Sequence, residues 1–106
     1  MTKVKKHYEI DIAAKAIADW RSMTIVHAIY EHGPLRYKDL NESLAFSPTG
    51  LSHKLALLSR LGVIERRQDL GAKEVSYHVL PVAKKMVEAF HLLEVVEKNL
   101  QKKKKE

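Results

Sequence analysis

The sequence contains no cysteine. Disulfides, thiolate metal sites and thiol switches are therefore excluded, and an intracellular protein fits this composition. No apolar run approaches the roughly 20 residues that span a bilayer. The basic start at residues 1–6 is not followed by an apolar segment. We therefore expect neither a secretory signal nor a membrane partner.

Motifs that carry catalysis are also absent. The six histidines include no pair at metal-ligand helical spacing, and no carboxylate cluster accompanies them. There is no glycine-rich phosphate loop and no nucleophile motif. We expect no enzyme, no metal and no cofactor. His27 lies on a largely apolar helix face, which is typical of a core or interface histidine.

Positive charge is only moderately in excess of negative charge. The net charge is +6, of which residues 102–106 carry +3, so the other 101 residues also carry +3. This balance is compatible with a polyanionic partner but does not require one. With 106 residues, 45 % of them apolar, the chain has the size of one domain. We predict a single domain over residues 1–101 and a basic, disordered tail over residues 102–106.

The three prolines and four glycines are few, and they mark where elements begin and end. None occurs over residues 9–32, which predicts one long helix or two abutting helices with Asp19 as the N-cap of the second. Gly33 and Pro34 end this helical region.

The rest of the chain predicts a helix pair, a hairpin and a last helix. Residues 35–37 allow only a short extended piece, and residues 38–44 form a short helix. Ser47 caps a helix over residues 48–61, with Pro48 at its first position.

Strands over residues 63–68 and 74–80 form a hairpin, the second with alternating apolar residues. Pro81 opens a helix to about residue 100. Its apolar seam, spaced alternately by four and three residues, comprises Val82, Met86, Ala89, Leu93, Val96 and Leu100.

This order predicts a mainly α fold with a small β-hairpin wing, a winged helix-turn-helix with additional N- and C-terminal dimerisation helices. The helix-turn-helix covers residues 38–61, the wing residues 63–80 and the C-terminal helix residues 81–100.

Four segments resemble the HxlR-type branch of winged-helix transcriptional regulators, which has MarR and ArsR relatives. Residues 33–40 resemble its "G-x-x-R-F/Y-x-x-L" entry, and residues 47–55 its recognition helix. Residues 58–66 resemble the run into the wing, and residues 75–79 match the "V-x-Y-x-L" return strand. The likeness covers about residues 20–90.

Three features depart from this pattern. The usual "L-T-x-x-G" after the return strand is replaced by residues 80–84, the wing lacks the frequent Pro-Pro, and the N-terminal sensing cysteine is missing. The resemblance implies a cytoplasmic, nucleoid-associated regulator that binds double-stranded DNA as a homodimer at a pseudo-palindromic site. The missing cysteine excludes thiol sensing.

The helix over residues 48–61 is the predicted recognition helix. If Leu51, Leu55 and Leu58 face the core, Thr49 and His53 point outward near the end that enters the major groove. The alternative is an ordinary solvated polar face. The predicted DNA-binding residues of this helix and its cap are Ser47, Thr49, Gly50, Ser52, His53, Lys54 and Arg60.

Arg66, Arg67 and Lys73 of the wing suit phosphates or the minor groove. The alternative is a charged edge strand that discourages aggregation. Arg36 and Lys38 are predicted to hold the flanking DNA backbone, and the alternative for Arg36 is a structural ion pair.

The C-terminal seam predicts a two-fold interface with the first helical region, through Ile10, Ile17 and Trp20. The alternative is a last helix that folds back on its own domain. Two other functions stay open: a sequence-neutral architectural DNA-binding protein, favoured by the lysine tail, and a protein–protein interaction module. The sequence identifies no small-molecule effector and does not exclude one.

Overall fold

A computed structural model describes residues 9–68, 71 and 73–104. The elements in chain order are α1 (Asp11–Ala18), α2 (Trp20–His32), β1 (Leu35–Arg36), α3 (Tyr37–Ser43), α4 (Pro48–Arg60), β2 (Ile64–Arg67), β3 (Ser76–Val79) and α5 (Val82–Lys104). The predicted fold class, mainly helical with a small β wing, is confirmed.

The long N-terminal helical region is divided in two at Asp19, which is the second of the two predicted alternatives. The Asp19 carboxylate accepts a hydrogen bond from the Arg21 backbone N–H at 3.2 Å, which caps the start of α2. Gly33 ends α2 in the left-handed region at φ +81°, where a side chain would be strained.

The sheet has three antiparallel strands in the order β1-β3-β2. Ile64 lies opposite Val79 and confirms the predicted hairpin, although both strands are shorter than predicted. Leu35 lies opposite Tyr77, so the short extended piece pairs with the far side of β3. Parts of the turn between β2 and β3 (residues 69, 70 and 72) lie outside the described residues.

The core lies between α2, the α3–α4 pair and the sheet. The predicted buried stripe of α4, formed by Leu51, Leu55 and Leu58, is confirmed because all three side chains are at most 2 % exposed. They pack with Ile25 and Ile29 of α2. This packing fixes which face of α4 points outward.

The last helix is longer than the sequence predicted. It continues through Lys104, so the prediction of an end near residue 100 and a disordered tail from residue 102 is wrong for residues 102–104. The reason is that no glycine or proline follows Pro81, and lysine and glutamine are good helix formers. Residues 105 and 106 lie outside the described residues.

Only the first part of α5 is covered by the domain. Ala83, Met86 and Val87 are buried, whereas every residue from 91 to 102 is exposed. The first part of α5 therefore folds back on its own domain, as the alternative interpretation expects, whereas the second part does not. In the described ranges, no helix is long and apolar enough to cross a membrane.

Candidate nucleic-acid interface

The start of α4 is held in a defined cap. Ser47 Oγ accepts a hydrogen bond from the Gly50 backbone N–H at 3.0 Å, and Pro48 occupies the first turn. A Cβ on Gly50 would lie 2.9 Å from Ser47 Oγ and would displace the cap. Ser47 and Gly50 therefore set the direction in which this helix end points.

Tyr37, which was not among the predicted site residues, positions the same helix end. Its hydroxyl donates to the Pro48 carbonyl oxygen at 3.1 Å. Ser52, a predicted DNA contact, donates from its hydroxyl to the Tyr37 oxygen at 3.4 Å. The sequence feature that could have indicated this positioning role is the aromatic residue that the entry motif has at Tyr37.

The outer face of α4 carries the residues predicted to read DNA. Thr49, His53 and Arg60 are exposed, on the side opposite the buried leucines. Threonine and histidine can each donate or accept a hydrogen bond at a base edge. The geometric part of the prediction, an exposed polar face beginning at the capped end, agrees with the structure.

Lys54, one of the predicted DNA-binding residues, is held in an ion pair within the fold. Its Nζ forms an ion pair with Asp19 Oδ2, which also accepts a hydrogen bond from Ser22 Oγ at 2.9 Å. The Lys54 and Asp19 side chains are only 31 % and 26 % exposed. Lys54 therefore ties α4 to the start of α2, and it is not a free cation on the outer face of α4.

The Asp19 carboxyl is perturbed by this arrangement. Partial burial acts to raise its pKa, but the hydrogen bonds from Lys54, Ser22 and Arg21 outweigh burial and lower the pKa below its usual 3.8. Because the folded state favours the ionised form, the pair stabilises the fold above about pH 4, and this contribution is lost as the pH falls further.

Asp19→Asn tests this pair while keeping a residue that can cap α2. We expect the variant to lose about 1 kcal/mol of unfolding free energy at pH 7, since a part-buried, charge-assisted hydrogen bond is removed. Urea unfolding of both proteins between pH 7 and pH 3 measures the difference, which should shrink below about pH 4. A difference that stays constant down to pH 3 would contradict the role of the ionised carboxylate.

Arg36 forms the structural ion pairs that were its alternative interpretation. Its Nε lies 3.2 Å from Asp39 Oδ2, and its Nη1 contacts Glu74. The hydrogen bonds from Arg36 lower the pKa of Asp39, and those to Asp39 and Glu74 raise the pKa of Arg36. The network joins the start of α3 to the chain entering β3, while Lys38 is exposed.

The wing cations are exposed at the edge of the sheet. Arg67 Nη2 lies 2.7 Å from Glu65 Oε2, and Lys73 is also exposed. Arg66 lines a cleft of about 280 Å³ between α4 and the sheet, together with Tyr37 and Ser52. A second cleft joins Arg66 to Arg36 and Lys38. Arg66 of β2 thus lies near both the start of α3 and one side of α4.

The residues predicted for a dimer interface have mixed surroundings. Ile17 packs partly against the core, Met86 is buried and Ala89 is half-buried. The others in this set are large exposed side chains: Ile10, Trp20, Leu93, Val96 and Leu100. Trp20 contacts Phe46 edge to face, with ring centroids 6.0 Å apart.

His27 lies half-exposed at the contact between α2 and α5. Its Nε2 is 3.3 Å from Glu31 Oε1, and its ring centroid is 5.5 Å from that of His91. Among the residues the structure describes, no group of three or more histidine and carboxylate side chains is arranged to hold a metal ion.

The fold resembles solved transcriptional regulators. A MarR-family regulator from Enterococcus faecalis V583 superposes with a TM-score of 0.77 at 18 % identity, covering 98 % of this chain and 96 % of that chain. HlyU from Vibrio vulnificus CMCP6 has a TM-score of 0.65 at 28 % identity, covering 80 % and 86 %. A mutant MarR from E. coli, complexed with operator DNA, has a TM-score of 0.62 at 15 % identity, covering 74 % and 60 %.

These likenesses show a MarR-like winged-helix fold, and the neighbours are transcriptional regulators, which are not enzymes. The narrower prediction of an HxlR-type branch is not confirmed by them. No family model matches the chain, and no curated protein matches it.

Proposed function

We propose that this protein is a transcriptional regulator that binds double-stranded DNA sequence-specifically, as a homodimer on a pseudo-palindromic site. The observation that carries the proposal is the exposed outer face of α4, where Thr49 and His53 follow a capped helix start. A helix of this kind inserts its first turns into the major groove and presents polar side chains to base edges.

Cationic and backbone groups around α4 support the same proposal. The cap of α4 presents a helix N-terminus, which suits a phosphate. Arg66 borders the cleft beside α4 and shares a second cleft, between α3 and the sheet, with Lys38. Arg67 and Lys73 are exposed on the wing. Phosphate contacts of this type set the register of a protein on DNA without reading its sequence. The E. coli MarR neighbour is complexed with operator DNA.

A homodimer is proposed because the second half of α5 leaves the domain with apolar side chains uncovered. Leu93, Val96 and Leu100 are 48 %, 49 % and 61 % exposed. A closed two-fold arrangement buries the same patch on both copies and places two recognition helices on one DNA. Such a protein would act in the cytoplasm, at the nucleoid.

Selection of bound duplexes from a random DNA pool tests the proposal. We expect an enriched motif with two-fold symmetry, whose half-sites lie about 10 base pairs apart if the two helices enter successive major grooves. Salt-dependent binding without any enriched motif would instead indicate a sequence-neutral architectural protein. Absence of DNA binding would favour a protein–protein module.

The wing should contribute affinity more than sequence choice. We expect Arg67→Ala and Lys73→Ala each to weaken binding to selected and scrambled DNA alike, because phosphate contacts do not read bases. The slope of log K against log salt should become shallower by about one for each phosphate that the variant no longer neutralises. Fluorescence anisotropy titrations at several salt concentrations measure both effects.

Lys98→Ala removes the same charge from the exposed part of α5 and serves as the control. We expect its salt slope to equal that of the wild type. If both wing variants keep the wild-type salt slope and affinity, the wing does not contact DNA.

A further inference from the structure

The two adjacent arginines of β2 lie in different surroundings. Successive side chains of a strand point to opposite faces of the sheet, so Arg66 and Arg67 face opposite ways. Arg66 borders the clefts beside α3 and α4, and it forms no ion pair with any residue that the structure describes. Arg67 lies on the other face of the wing, next to Glu65 of the same strand.

Glu65 holds Arg67 through two nitrogen atoms of the guanidinium group. The Nε and Nη2 atoms of Arg67 lie 3.0 Å and 2.7 Å from Glu65 Oε2. The two residues are two positions apart, so the strand itself places both side chains on one face. Hydrogen bonds between two ionised groups are also stronger than those between neutral groups. The pair therefore needs no other element of the fold to form.

The strand beside β2 supplies no second carboxylate for Arg67. Ser76 lies directly opposite Arg67, and its hydroxyl is 2.8 Å from His78 Nε2 of the same strand. His78 lies opposite Glu65. Among the residues that the structure describes, Glu65 is thus the one carboxylate that contacts Arg67.

Arg36, the other arginine near this face, is held differently. It lies opposite Ser76 from the far edge of β3, and it contacts two carboxylates, those of Asp39 and Glu74. Loss of Glu74 would leave Arg36 paired with Asp39 at 3.2 Å. At Arg67, by contrast, a single carboxylate determines whether the cation is paired.

A DNA phosphate would use the same N–H groups of Arg67. The side chains of Arg67 and Glu65 are 48 % and 45 % exposed, so a phosphate can approach the guanidinium from solvent. Carboxylates and phosphates both bind a guanidinium through its forked N–H groups. Because Nε and Nη2 already donate to Glu65, a phosphate that binds through these atoms has to displace the carboxylate.

From these shared N–H groups, we infer that Glu65 competes with DNA for Arg67 and so lowers the affinity of the wing for DNA. The inference rests on the proposed function and adds a residue that sets its affinity. The competition acts at a phosphate contact, which does not read bases, so it weakens binding to all DNA sequences alike. The base contacts of α4 then supply a larger share of the binding free energy.

A double-mutant cycle of Glu65→Gln and Arg67→Ala tests the competition. Glutamine has nearly the shape of glutamate but no charge, so it holds a guanidinium less strongly. Fluorescence anisotropy measures the binding of selected and scrambled duplexes by the wild type, the two single variants and the double variant. The difference between the effects of Glu65→Gln with and without Arg67 isolates the contribution of the pair.

We expect Glu65→Gln to tighten binding to both duplexes by about threefold for each wing, as suits an exposed ion pair, and so by about tenfold for a dimer with two wings. In the Arg67→Ala background the same substitution should change the affinity by less than about twofold for each wing, because the cation for which Glu65 competes is absent.

Glu74→Gln removes the same charge from the same wing, at a side chain that is 51 % exposed, and serves as the matched control. Because Asp39 still holds Arg36, we expect a smaller effect that is equal with and without Arg67. If Glu65→Gln binds DNA like the wild type, or tightens binding equally without Arg67, the inference is overturned while the DNA-binding function stands. A wild-type protein that binds neither duplex refutes the proposed function itself.

Discussion

His53→Ala should lower the ratio between the affinities for the selected DNA and for scrambled DNA by about tenfold, since one base-edge contact contributes roughly 1–3 kcal/mol of discrimination. The side chain is exposed on the outer face of α4, while Leu51 and Leu55 on the inner face are buried. Removing it therefore leaves the core intact. Preference should relax at one base pair in each half-site and stay unchanged at the others.

Thr49→Ala should have a similar effect at a different base pair, because Thr49 lies one turn closer to the capped start of α4. Binding of each variant to the selected site, to single-base variants of that site and to scrambled DNA separates loss of specificity from loss of affinity. His32→Ala, a change of the same type at an exposed position at the end of α2, is the matched control. If Thr49→Ala and His53→Ala both keep the wild-type ratio, this face of α4 does not read the DNA sequence.

Leu93→Glu should convert the dimer into monomers at micromolar concentration. The two-fold contact would then hold an unpaired carboxylate from each copy in an apolar seam. Burying such a group costs several kcal/mol, so the dimer dissociation constant should rise by about 100-fold or more. Because Leu93 is 48 % exposed in the single chain, the fold of each domain should be retained. Analytical ultracentrifugation measures the dissociation constant, and far-ultraviolet circular dichroism checks the helix content.

Val95→Glu introduces the same charge two residues away, on the opposite face of α5, where the side chain is 55 % exposed. We expect this variant to remain dimeric. Binding to the two-fold DNA site should weaken strongly for Leu93→Glu and little for Val95→Glu, because only a dimer engages both half-sites. A wild-type protein that sediments as a monomer, or equal effects of the two substitutions, would contradict the interface.

Local patterns in the sequence determined most of the element order. The cap at Asp19, the Ser47–Pro48 start of α4 and the glycine that ends α2 act through hydrogen bonds and backbone angles of neighbouring residues, so a short window of sequence contains their cause. The buried stripe of α4 likewise follows from helical periodicity, which also placed Thr49 and His53 outward.

Tertiary structure decided which charged groups are free and which apolar groups are covered. Lys54 pairs with Asp19, 35 positions away, and Arg36 contacts Glu74, 38 positions away. No residue within one helix turn of Lys54 indicates that packing will bring Asp19 to it, and none near Arg36 indicates the same for Glu74. For α5 the regular seam predicted an apolar face along the whole helix. Only the tertiary structure shows that the domain covers Met86 and leaves Leu93 and Leu100 exposed. The reason is that burial of a helix residue depends on which other elements reach that part of the helix.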